Sequence, residues 1–190
     1  MDLERCQWPG DDDLMVQYHD VEWGVPLHDD QKLFEFMILD AMQAGLSWRT
    51  VLYKRDAFER AMHGFDVARI SKYREKDVER LMTNAGIIRN RQKIEASVVN
   101  ARGVLDVQAE FGSLDAYLWQ FVGGTTVTNK WKRPGQIPAT SKEADAMSKA
   151  LKARGFKFVG PTICYAFMQA SGMVNDHTTN CFRYQELANE

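Results

Sequence analysis

The sequence predicts an all-α protein, and three observations favour that class. Apolar residues recur at helical spacing over seven segments. No segment shows the convincing alternation of β-branched and polar residues that a half-buried strand has. Serines and glycines, which begin and end helices, stand at the ends of the periodic segments. In chain order the predicted helices and their end signals are 30–44 (ending at Gly45), 47–62 (beginning at Ser47), 74–84 (ending at Gly86), 92–110 (ending at Gly112), 113–121 (beginning at Ser113), 142–153 (from Ser141 to Gly155) and 161–171 (with Pro161 in its first turn).

The length and composition fit one domain, residues 1–190, built from two helical lobes. Of the 190 residues, 45% are hydrophobic, and ten Phe and five Trp provide large apolar surfaces for a sizeable core. The longest segment without helical periodicity is 123–140, which is rich in glycine and proline. A loop of this length either carries function or connects the two lobes.

The composition also excludes several classes of protein. No apolar run approaches the roughly 18 residues that a membrane span requires, and the first residues lack the basic and apolar regions of a secretory signal. Three cysteines are an odd number, which argues against a disulfide framework and for a reducing compartment. We therefore expect a soluble, cytoplasmic protein, and a monomer.

The distribution of charge qualifies the formal net charge of −2, which alone would not suggest a nucleic-acid partner. Basic residues are concentrated in segments 89–93, 130–133 and 149–157. Each segment is typical of an ordinary solvated face. Together, on an otherwise acidic chain, they favour a surface that attracts phosphates.

Asp40 is the most unusual residue of the first predicted helix. On a helical wheel it falls among Leu33, Phe36 and Met37, on the apolar face, with Glu35 directed elsewhere. A carboxylate in that position must be paired, hydrogen-bonded or functional, because burial without a partner is costly and raises its pKa. Two interpretations stand: an internal cap or ion pair with an arginine, or an acid that recognises a donor or a cation in a pocket.

The segment QAGLSW follows that helix directly. Its glycine ends one helix and its serine begins the next, so we expect Gln43 and Leu46 to project outward while Trp48 turns back toward Asp40. An amide and an apolar side chain on a tight turn are what a protein uses to wedge into a base step and fill the gap. Gln43, Gly45 and Leu46 are therefore candidate DNA contacts. Most such corners place a leucine against the core, and that alternative stays open.

Aromatic residues gather in the same part of the chain. Trp8, Tyr18 and Trp23 lie in the N-terminal segment, and Trp48 follows the turn. Rings beside one carboxylate suit a flat, hydrogen-bonding and cationic ligand such as a nucleobase. A cluster of core aromatics is the alternative.

The segment 152–162 lies between two predicted helices and contains two glycines before Pro161. A helix, a short hairpin and a second helix with free N-terminal amides form a cradle for a phosphate. Proline is tolerated in the first turn of the second helix, where its missing N–H has no partner to lose. We therefore interpret residues 142–172 as a helix-hairpin-helix element, with Lys157, Gly160 and Thr162 as its candidate DNA contacts.

Cys6 and His19 near the start, and His177 and Cys181 near the end, make a complete Cys2His2 set. Two thiolates and two imidazoles are a ligand set of a structural, tetrahedral Zn2+ site. A helix over the second pair would put His177 and Cys181 one turn apart on the same face. No rule of spacing links two pairs this distant, so four unrelated buried residues remain an equal alternative.

With these residues assembled, the chain resembles the 3-methyladenine DNA glycosylase I family, the zinc-containing bacterial members of the helix-hairpin-helix DNA glycosylase superfamily. The resemblance runs nearly end to end. Its most specific segments are 5–8 (RCQW), 18–26 (YHDVEWGVP), 43–48 (QAGLSW), 85–89 (AGIIR), 154–160 (RGFKFVG) and 174–177 (VNDH).

The resemblance implies an all-α glycosylase fold in which one structural zinc joins the N- and C-terminal segments. The positions that match the zinc ligands of the family are Cys6, His19, His177 and Cys181. The positions that match the base pocket are Asp40, Tyr18 and Trp48, with Trp8 and Trp23 as further aromatic residues. Asp40 departs from the family, whose pocket acid is usually glutamate, so the hydrogen-bond geometry differs while the reaction is the same.

The resemblance implies base excision: hydrolysis of the N-glycosidic bond of 3-methyladenine in alkylated duplex DNA. The superfamily's catalytic aspartate corresponds by offset to Asn175, and the nucleophilic lysine of its bifunctional members corresponds to Thr162, which implies an enzyme that does not cleave the strand. The alternatives are a non-catalytic damage-binding protein, a glycosylase with a different N-alkylpurine preference, and a zinc hydrolase of small nucleosides.

Overall fold

The structure, a computed structural model, describes residues 3–188 and is mostly helical. No helix in this range is long and apolar enough to cross a bilayer. In chain order the elements are α1 (Asp13–Val21), α2 (Asp30–Gln43), α3 (Trp48–Leu52), α4 (Arg55–Ala61), α5 (Val67–Ile70), α6 (Glu75–Met82), α7 (Arg91–Phe111), α8 (Leu114–Trp119), β1 (Val127–Thr128), α9 (Lys142–Ala153), α10 (Pro161–Ala170), β2 (Val174–Asn175) and α11 (Phe182–Ala188), with single 3-10 turns at His63–Phe65, Gln120–Val122 and Pro134–Gln136.

The predicted serine caps are confirmed, because each serine hydroxyl accepts a hydrogen bond from a backbone amide three residues later. Ser47 begins α3, Ser113 begins α8 and Ser141 begins α9 in this way. The long α7 ends at Gly112, which adopts φ 87°, a conformation that favours glycine. Local end signals therefore located most helices within a few residues.

Three features differ from the prediction. The helix expected over 47–62 is broken at residues 53–54, where the chain turns between α3 and α4. Neither residue is glycine or proline, so the unbroken apolar period gave no sign of the turn. Helix α1 was not predicted. The paired strands β1 and β2 were also missed, since two residues are too few to show alternation.

Helix α2 is central to the fold, and α3, α7, α8 and α10 all pack against it. Every residue from 33 to 42 is buried, so the helix has no solvent face over three turns. The expectation that Glu35 points away from the core is therefore wrong. Glu35 is buried because Lys32 and Arg55 both pair with its carboxylate, at 2.7 and 2.6 Å. Asp40, one turn further along, has no such pair.

The C-terminal segment holds both the N-terminal segment and the long loop. Strand β2 pairs in parallel with β1 of the loop, with Val127 opposite Val174. The Phe182 amide donates to the Glu4 carbonyl oxygen at 2.9 Å. Residues 174–182 therefore lie between the start of the chain and the loop that follows α8.

Candidate functional site

A cavity of about 270 Å³ opens between α1, α2, the start of α3, the long loop and α10. It is lined by aromatic and apolar side chains with a small number of polar ones, which is the usual composition of a ligand pocket. The lining residues are Trp8, Tyr18, Trp23, Asp40, Gln43, Trp48, Pro134, Ile137, Ala166, Gln169 and Ala170. All five residues predicted for the base pocket therefore line one cavity.

Asp40 presents a buried carboxyl group to this cavity. Its side chain is 3% exposed, and its Oδ2 atom has no hydrogen-bond partner among residues 3–188. Burial raises the pKa of Asp40 well above its usual value. An unpartnered buried polar group costs about 1–3 kcal/mol by mutational measures. Among residues 3–188 Asp40 pairs with no arginine and its Oδ2 atom caps no backbone amide, so neither the ion pair nor the internal cap is present and the interpretation of Asp40 as a pocket acid stays a prediction.

The aromatic residues line the same cavity as Asp40 and pack against one another. The rings of Tyr18 and Trp48 lie 5.1 Å apart, as do those of Trp8 and Trp23. The indole Nε1 atoms of Trp8 and Trp48 are buried without a hydrogen-bond partner among residues 3–188. Burial, followed by the charges of Asp40 and Glu22, raises the pKa of Tyr18 well above its usual value, so its hydroxyl stays a donor. The cavity thus offers flat apolar faces, unused donors and one acid.

The turn between α2 and α3 lies at the edge of the cavity. Gly45 adopts φ 78°, and the Leu46 amide donates to the Gln43 carbonyl oxygen at 2.6 Å. Leu46 is 43% exposed, whereas Gln43 is half-buried and lines the cavity. The alternative in which the leucine packs against the core is therefore wrong. Ser47 caps α3, which places the Trp48 ring in the cavity wall.

The four Cys and His residues form one buried cluster, with their ligand atoms within 4.8 Å of one another. The Cys6 Sγ to His177 Nδ1 distance is 3.6 Å, and Cys181 Sγ lies 3.5 Å from both His177 Nδ1 and His19 Nε2. Tetrahedral Zn2+, with bonds of about 2.3 Å to sulfur and about 2.0 Å to nitrogen, puts sulfur and nitrogen about 3.5 Å apart. The two distant pairs are therefore one constellation and not unrelated residues.

The helix expected over His177 and Cys181 is absent from the structure. Both residues lie between β2 and α11, and the Cys181 amide donates to the Thr178 carbonyl oxygen at 2.7 Å in a tight turn. Pairing of β2 with β1 keeps the segment extended up to Asn175, two residues before His177. The turn brings the two side chains together as a helix would.

Outer hydrogen bonds fix both imidazole rings. His177 Nε2 lies 3.0 Å from the Trp23 carbonyl oxygen, to which it can only donate, so Nδ1 presents its lone pair to the sulfurs. His19 Nδ1 lies 2.7 Å from the Asp20 carboxylate, which leaves Nε2 for the cluster. Contact with the Cys181 thiol lowers the pKa of Cys6 to about 7. Such fixed tautomers are typical of metal-binding histidines.

Helices α9 and α10 pack against each other across a short turn. The turn contains Lys157, which is exposed, and Phe158, which has the positive φ of 54°. Gly160 precedes α10, and no side chain caps the amides there. Thr162 is exposed in the first helical turn. The three residues predicted as DNA contacts in this element therefore lie together at its surface.

Several residues of the predicted basic segments bind other groups of the protein. Lys93 is buried, and its Nζ atom donates to two backbone carbonyl oxygens. Arg91 pairs with Glu75 and Glu79, and Arg154 pairs with Glu110. Of these three, Lys93 does not reach the protein surface, so the inclusion of Lys93 in a phosphate-attracting segment was wrong.

Asp176 is the main site residue that the sequence did not reveal. It is fully buried, and its carboxylate accepts hydrogen bonds from Asn129, Trp131, Tyr165 and Gln169 at 2.6–2.8 Å. The first two donors belong to the long loop and the last two to α10, so this one carboxylate joins both walls of the cavity. The sequence held one indication of this role: in the segment VNDH, Asp176 stands directly before the candidate metal ligand His177.

The side chain of Asn175 does not line the cavity, because it forms hydrogen bonds elsewhere in the protein. It is fully buried, donates to the Tyr184 carbonyl oxygen at 3.3 Å and accepts from the His177 amide. Its neighbour Asp176 accepts hydrogen bonds from four side chains, so Asp176 is the residue whose structural role a substitution can test. Replacement of Asp176 by asparagine puts an amide N–H against a donor and removes the charge.

We expect Asp176→Asn to lower the free energy of unfolding by about 3 kcal/mol, as is typical when one member of a buried charged network is changed. Urea denaturation followed by far-ultraviolet circular dichroism would measure it. Asp106→Asn is the matched control because Asp106 is exposed on α7. Equal stability of Asp176→Asn and the control would contradict a structural role for the four hydrogen bonds.

Comparison with known proteins identifies the class. Residues 8–184 match the protein-family model described as methyladenine glycosylase, and the chain belongs to this family. DNA-3-methyladenine glycosylase 1 of Escherichia coli K12 is 48% identical over 182 residues, which cover 96% of this chain and 97% of that protein.

Two solved structures share the fold. A crystal structure of 3-methyladenine DNA glycosylase I has a TM-score of 0.92 at 50% identity, covering 94% of this chain and 98% of that one. A variant of 3-methyladenine DNA glycosylase I with tyrosine replaced by phenylalanine, in complex with 3-methyladenine, has a TM-score of 0.91 at 34% identity, covering 94% and 96%.

Proposed function

We propose that this protein is a DNA-3-methyladenine glycosylase, which hydrolyses the N-glycosidic bond of 3-methyladenine in alkylated duplex DNA and leaves an abasic site. The observation that carries the proposal is the unpartnered, buried carboxyl of Asp40 in an aromatic cavity of about 270 Å³. The cavity lies below the usual size of about 300–1,000 Å³ for drug-sized ligands, which suits a single nucleobase. Family membership and the E. coli relative support it.

The substrate determines what the pocket residues must do. Alkylation at N3 gives the adenine ring a positive charge, so the base leaves as a neutral molecule and needs no strong general acid. Asp40 and Tyr18 hydrogen-bond the base, and Trp48 stacks on its face. Trp8 and Trp23 complete the aromatic walls. A water molecule then captures the sugar cation. Asp40 favours a cationic ring over neutral adenine by about 1–3 kcal/mol.

A base inside a duplex must leave the stack before it can enter this cavity. Leu46, exposed on the turn at Gly45, wedges into the base step, and Gln43 fills the gap. The α9–α10 element acts as a helix-hairpin-helix grip on the phosphates through Lys157, Gly160 and Thr162. An uncapped helix start is a ready anion site. The enzyme is monofunctional, since threonine and asparagine stand where the superfamily has its lysine nucleophile and its acid.

The Cys2His2 cluster holds one structural Zn2+. Two sulfurs and two nitrogens at tetrahedral separations, with both histidine tautomers fixed by Trp23 and Asp20, fit that ion. Four protein ligands complete its coordination, so the ion supplies cross-linking and no open position for water. The zinc hydrolase alternative, which needs such a position, is accordingly not favoured.

The same proposal treats residues 1–190 as one glycosylase domain of two helical lobes that acts as a monomer on double-stranded DNA. The helix-hairpin-helix element covers about residues 142–172, and the zinc site joins residues 6–19 to 177–181. Support for one domain comes from α2, which packs against helices from both halves of the chain.

Base release from duplex DNA treated with N-methyl-N-nitrosourea, resolved by chromatography, tests the proposed function directly. Wild-type protein is expected to liberate 3-methyladenine and to leave alkali-labile sites without cutting the strand itself. Release of 3-methylguanine as the main product would instead indicate a different alkylpurine preference. Tight binding to the treated duplex with no base released would refute the enzyme and favour a damage-binding protein.

Replacement of Leu46 by alanine tests the wedge. We expect Leu46→Ala to lower excision from duplex DNA about tenfold and to leave binding of free 3-methyladenine within about twofold, because only extrusion needs the wedge. Excision is measured by single-turnover kinetics and base binding by tryptophan fluorescence. Leu105→Ala, on the exposed face of α7, is the control. A loss of both activities together would place Leu46 in the pocket instead.

A further inference from the structure

Lys93 is a buried lysine with no acidic partner among residues 3–188. Its Nζ atom donates to the carbonyl oxygens of Met42 at 2.9 Å and Ala44 at 2.6 Å, one in the last turn of α2 and the other in its C-cap residue. Burial lowers its pKa. A cation at a helix C-terminus is favoured by the helix dipole, and here it also fixes the first residues of the turn that carries Leu46.

Asn100 makes an equivalent pair of contacts further along α7. Its amide nitrogen donates to the Lys157 carbonyl oxygen at 3.0 Å, and its amide oxygen accepts from the Lys157 backbone N–H at 2.8 Å. Asn100 is 2% exposed, and both hydrogen bonds are partly buried. It therefore fixes the backbone of the turn between α9 and α10.

The two residues share one face of one helix. Lys93 and Asn100 are about two helical turns apart, so they point in the same direction about 10 Å from each other along the axis. Helix α7 is 21 residues long and capped by Asn90, whose side chain accepts from the Lys93 amide. A long helix bends little over two turns, so whatever it holds at these points keeps a fixed separation.

We propose that Lys93 and Asn100 are positioning residues. Their hydrogen bonds hold two surface turns, the α2–α3 turn and the α9–α10 turn, against α7 and fix the distance between the two turns. This inference rests on the proposed function, in which one turn wedges into the base step and the other grips phosphates. The spacing along α7 then determines how far from the gripped phosphates the base is extruded. Neither residue lines the cavity.

The test uses a duplex with a tetrahydrofuran abasic-site analogue opposite 2-aminopurine, whose fluorescence rises when it unstacks. We expect Lys93→Met and Asn100→Ala each to weaken binding to this duplex about tenfold, since each loses a pair of hydrogen bonds that are at least partly buried. Only Lys93→Met is expected to suppress the fluorescence rise. Both variants should bind free 3-methyladenine within about twofold of the wild type, as should the exposed control Lys76→Met, which should also bind the duplex normally.

Double-mutant cycles with Leu46→Ala separate positioning from general destabilisation. Because Lys93 acts through the turn that carries Leu46, Lys93→Met should weaken duplex binding by less than about twofold further in the Leu46→Ala background. Asn100→Ala acts through the other turn and should keep its full effect there. Equal, additive effects of both variants, or parallel loss of free-base binding, would overturn the proposal. Failure of the wild type to release base would refute the proposed function, while the duplex results would still decide the role of α7.

Discussion

Replacement of Asp40 by asparagine is expected to slow the release of 3-methyladenine from methylated duplex DNA about 100-fold, the usual cost of removing one preorganised electrostatic contact. The same replacement should leave the protein at least as stable as the wild type. Both expectations follow from one feature: the Asp40 carboxyl is buried with an unpartnered oxygen. Such a group weakens the folded protein, and under the proposed function it gains a partner only when the cationic base enters.

The stability difference should depend on pH with a definite sign. Burial raises the pKa of Asp40 above its usual 3.8 in the folded protein, so the folded state binds the proton more tightly than the unfolded chain does. The stability contributed by the protonated group is fully present below about pH 3.8 and is lost as the pH rises through the folded-state pKa. Asp40→Asn lacks this loss, so its advantage in melting temperature over the wild type should grow as the pH rises from about 3.8 toward the folded-state pKa of Asp40.

Two variants control the Asp40 experiment. Asp40→Glu keeps the charge and adds one methylene, so it should retain most of the activity. Asp106→Asn changes an exposed aspartate and should alter neither activity nor the pH profile. Full activity of Asp40→Asn, or a clear loss of stability in that variant at pH 8, would show that Asp40 is a structural residue.

Replacement of Cys181 by alanine is expected to remove the metal and lower the melting temperature by about 10–15 °C. Loss of one ligand from a structural Zn2+ site costs several kcal/mol, and each kcal/mol corresponds to about 2–4 °C in a chain of this size. Differential scanning calorimetry measures the melting temperature, and a colorimetric chelator titration of the unfolded protein measures bound zinc. Wild-type protein should contain one zinc per chain.

Cys164 provides the matched control for Cys181. It is a buried cysteine of α10 outside the cluster, and burial raises the pKa of its thiol to about 12. Cys164→Ala should therefore keep one zinc per chain and lose only the small stability expected of a truncated core residue. A full zinc content in Cys181→Ala, or wild-type protein whose melting temperature is unaffected by a strong chelator, would refute the metal site.

The sequence predicted most where signals are local. The capping serines and Gly112 marked helix ends because each acts within one turn of its own position. Helix α1 was missed, although Met15, Tyr18 and His19 are its buried residues and have helical spacing. The break between α3 and α4 could not be predicted, because Tyr53 and Lys54 are ordinary helix residues and only tertiary packing turns the chain there.

The sequence predicted which residues belong to the site, but it did not predict which hydrogen-bond and ion-pair partners they have. A helical wheel places Asp40 on the apolar face, yet only the fold shows that Glu35 finds Arg55 while Asp40 finds no cation. Lys93 was misassigned for the same reason. Charge in a sequence does not reveal burial, and its carbonyl partners at Met42 and Ala44 are remote along the chain. The role of Asp176 could not be predicted, because its hydrogen-bond donors come from two segments, the long loop and α10.

The attachment of the N-terminal segment to residues 177–182 sets the order in which the cavity can be completed. Trp8, Tyr18 and Trp23 are synthesised early, but the contacts that hold their segment come from His177, Cys181 and Phe182. A chain still missing those last residues cannot fix the aromatic wall. Contacts of such long sequence separation form late in folding. A chain that stops before residue 177 therefore lacks a completed cavity, and under the proposed function it would keep the α9–α10 element without being able to recognise the base.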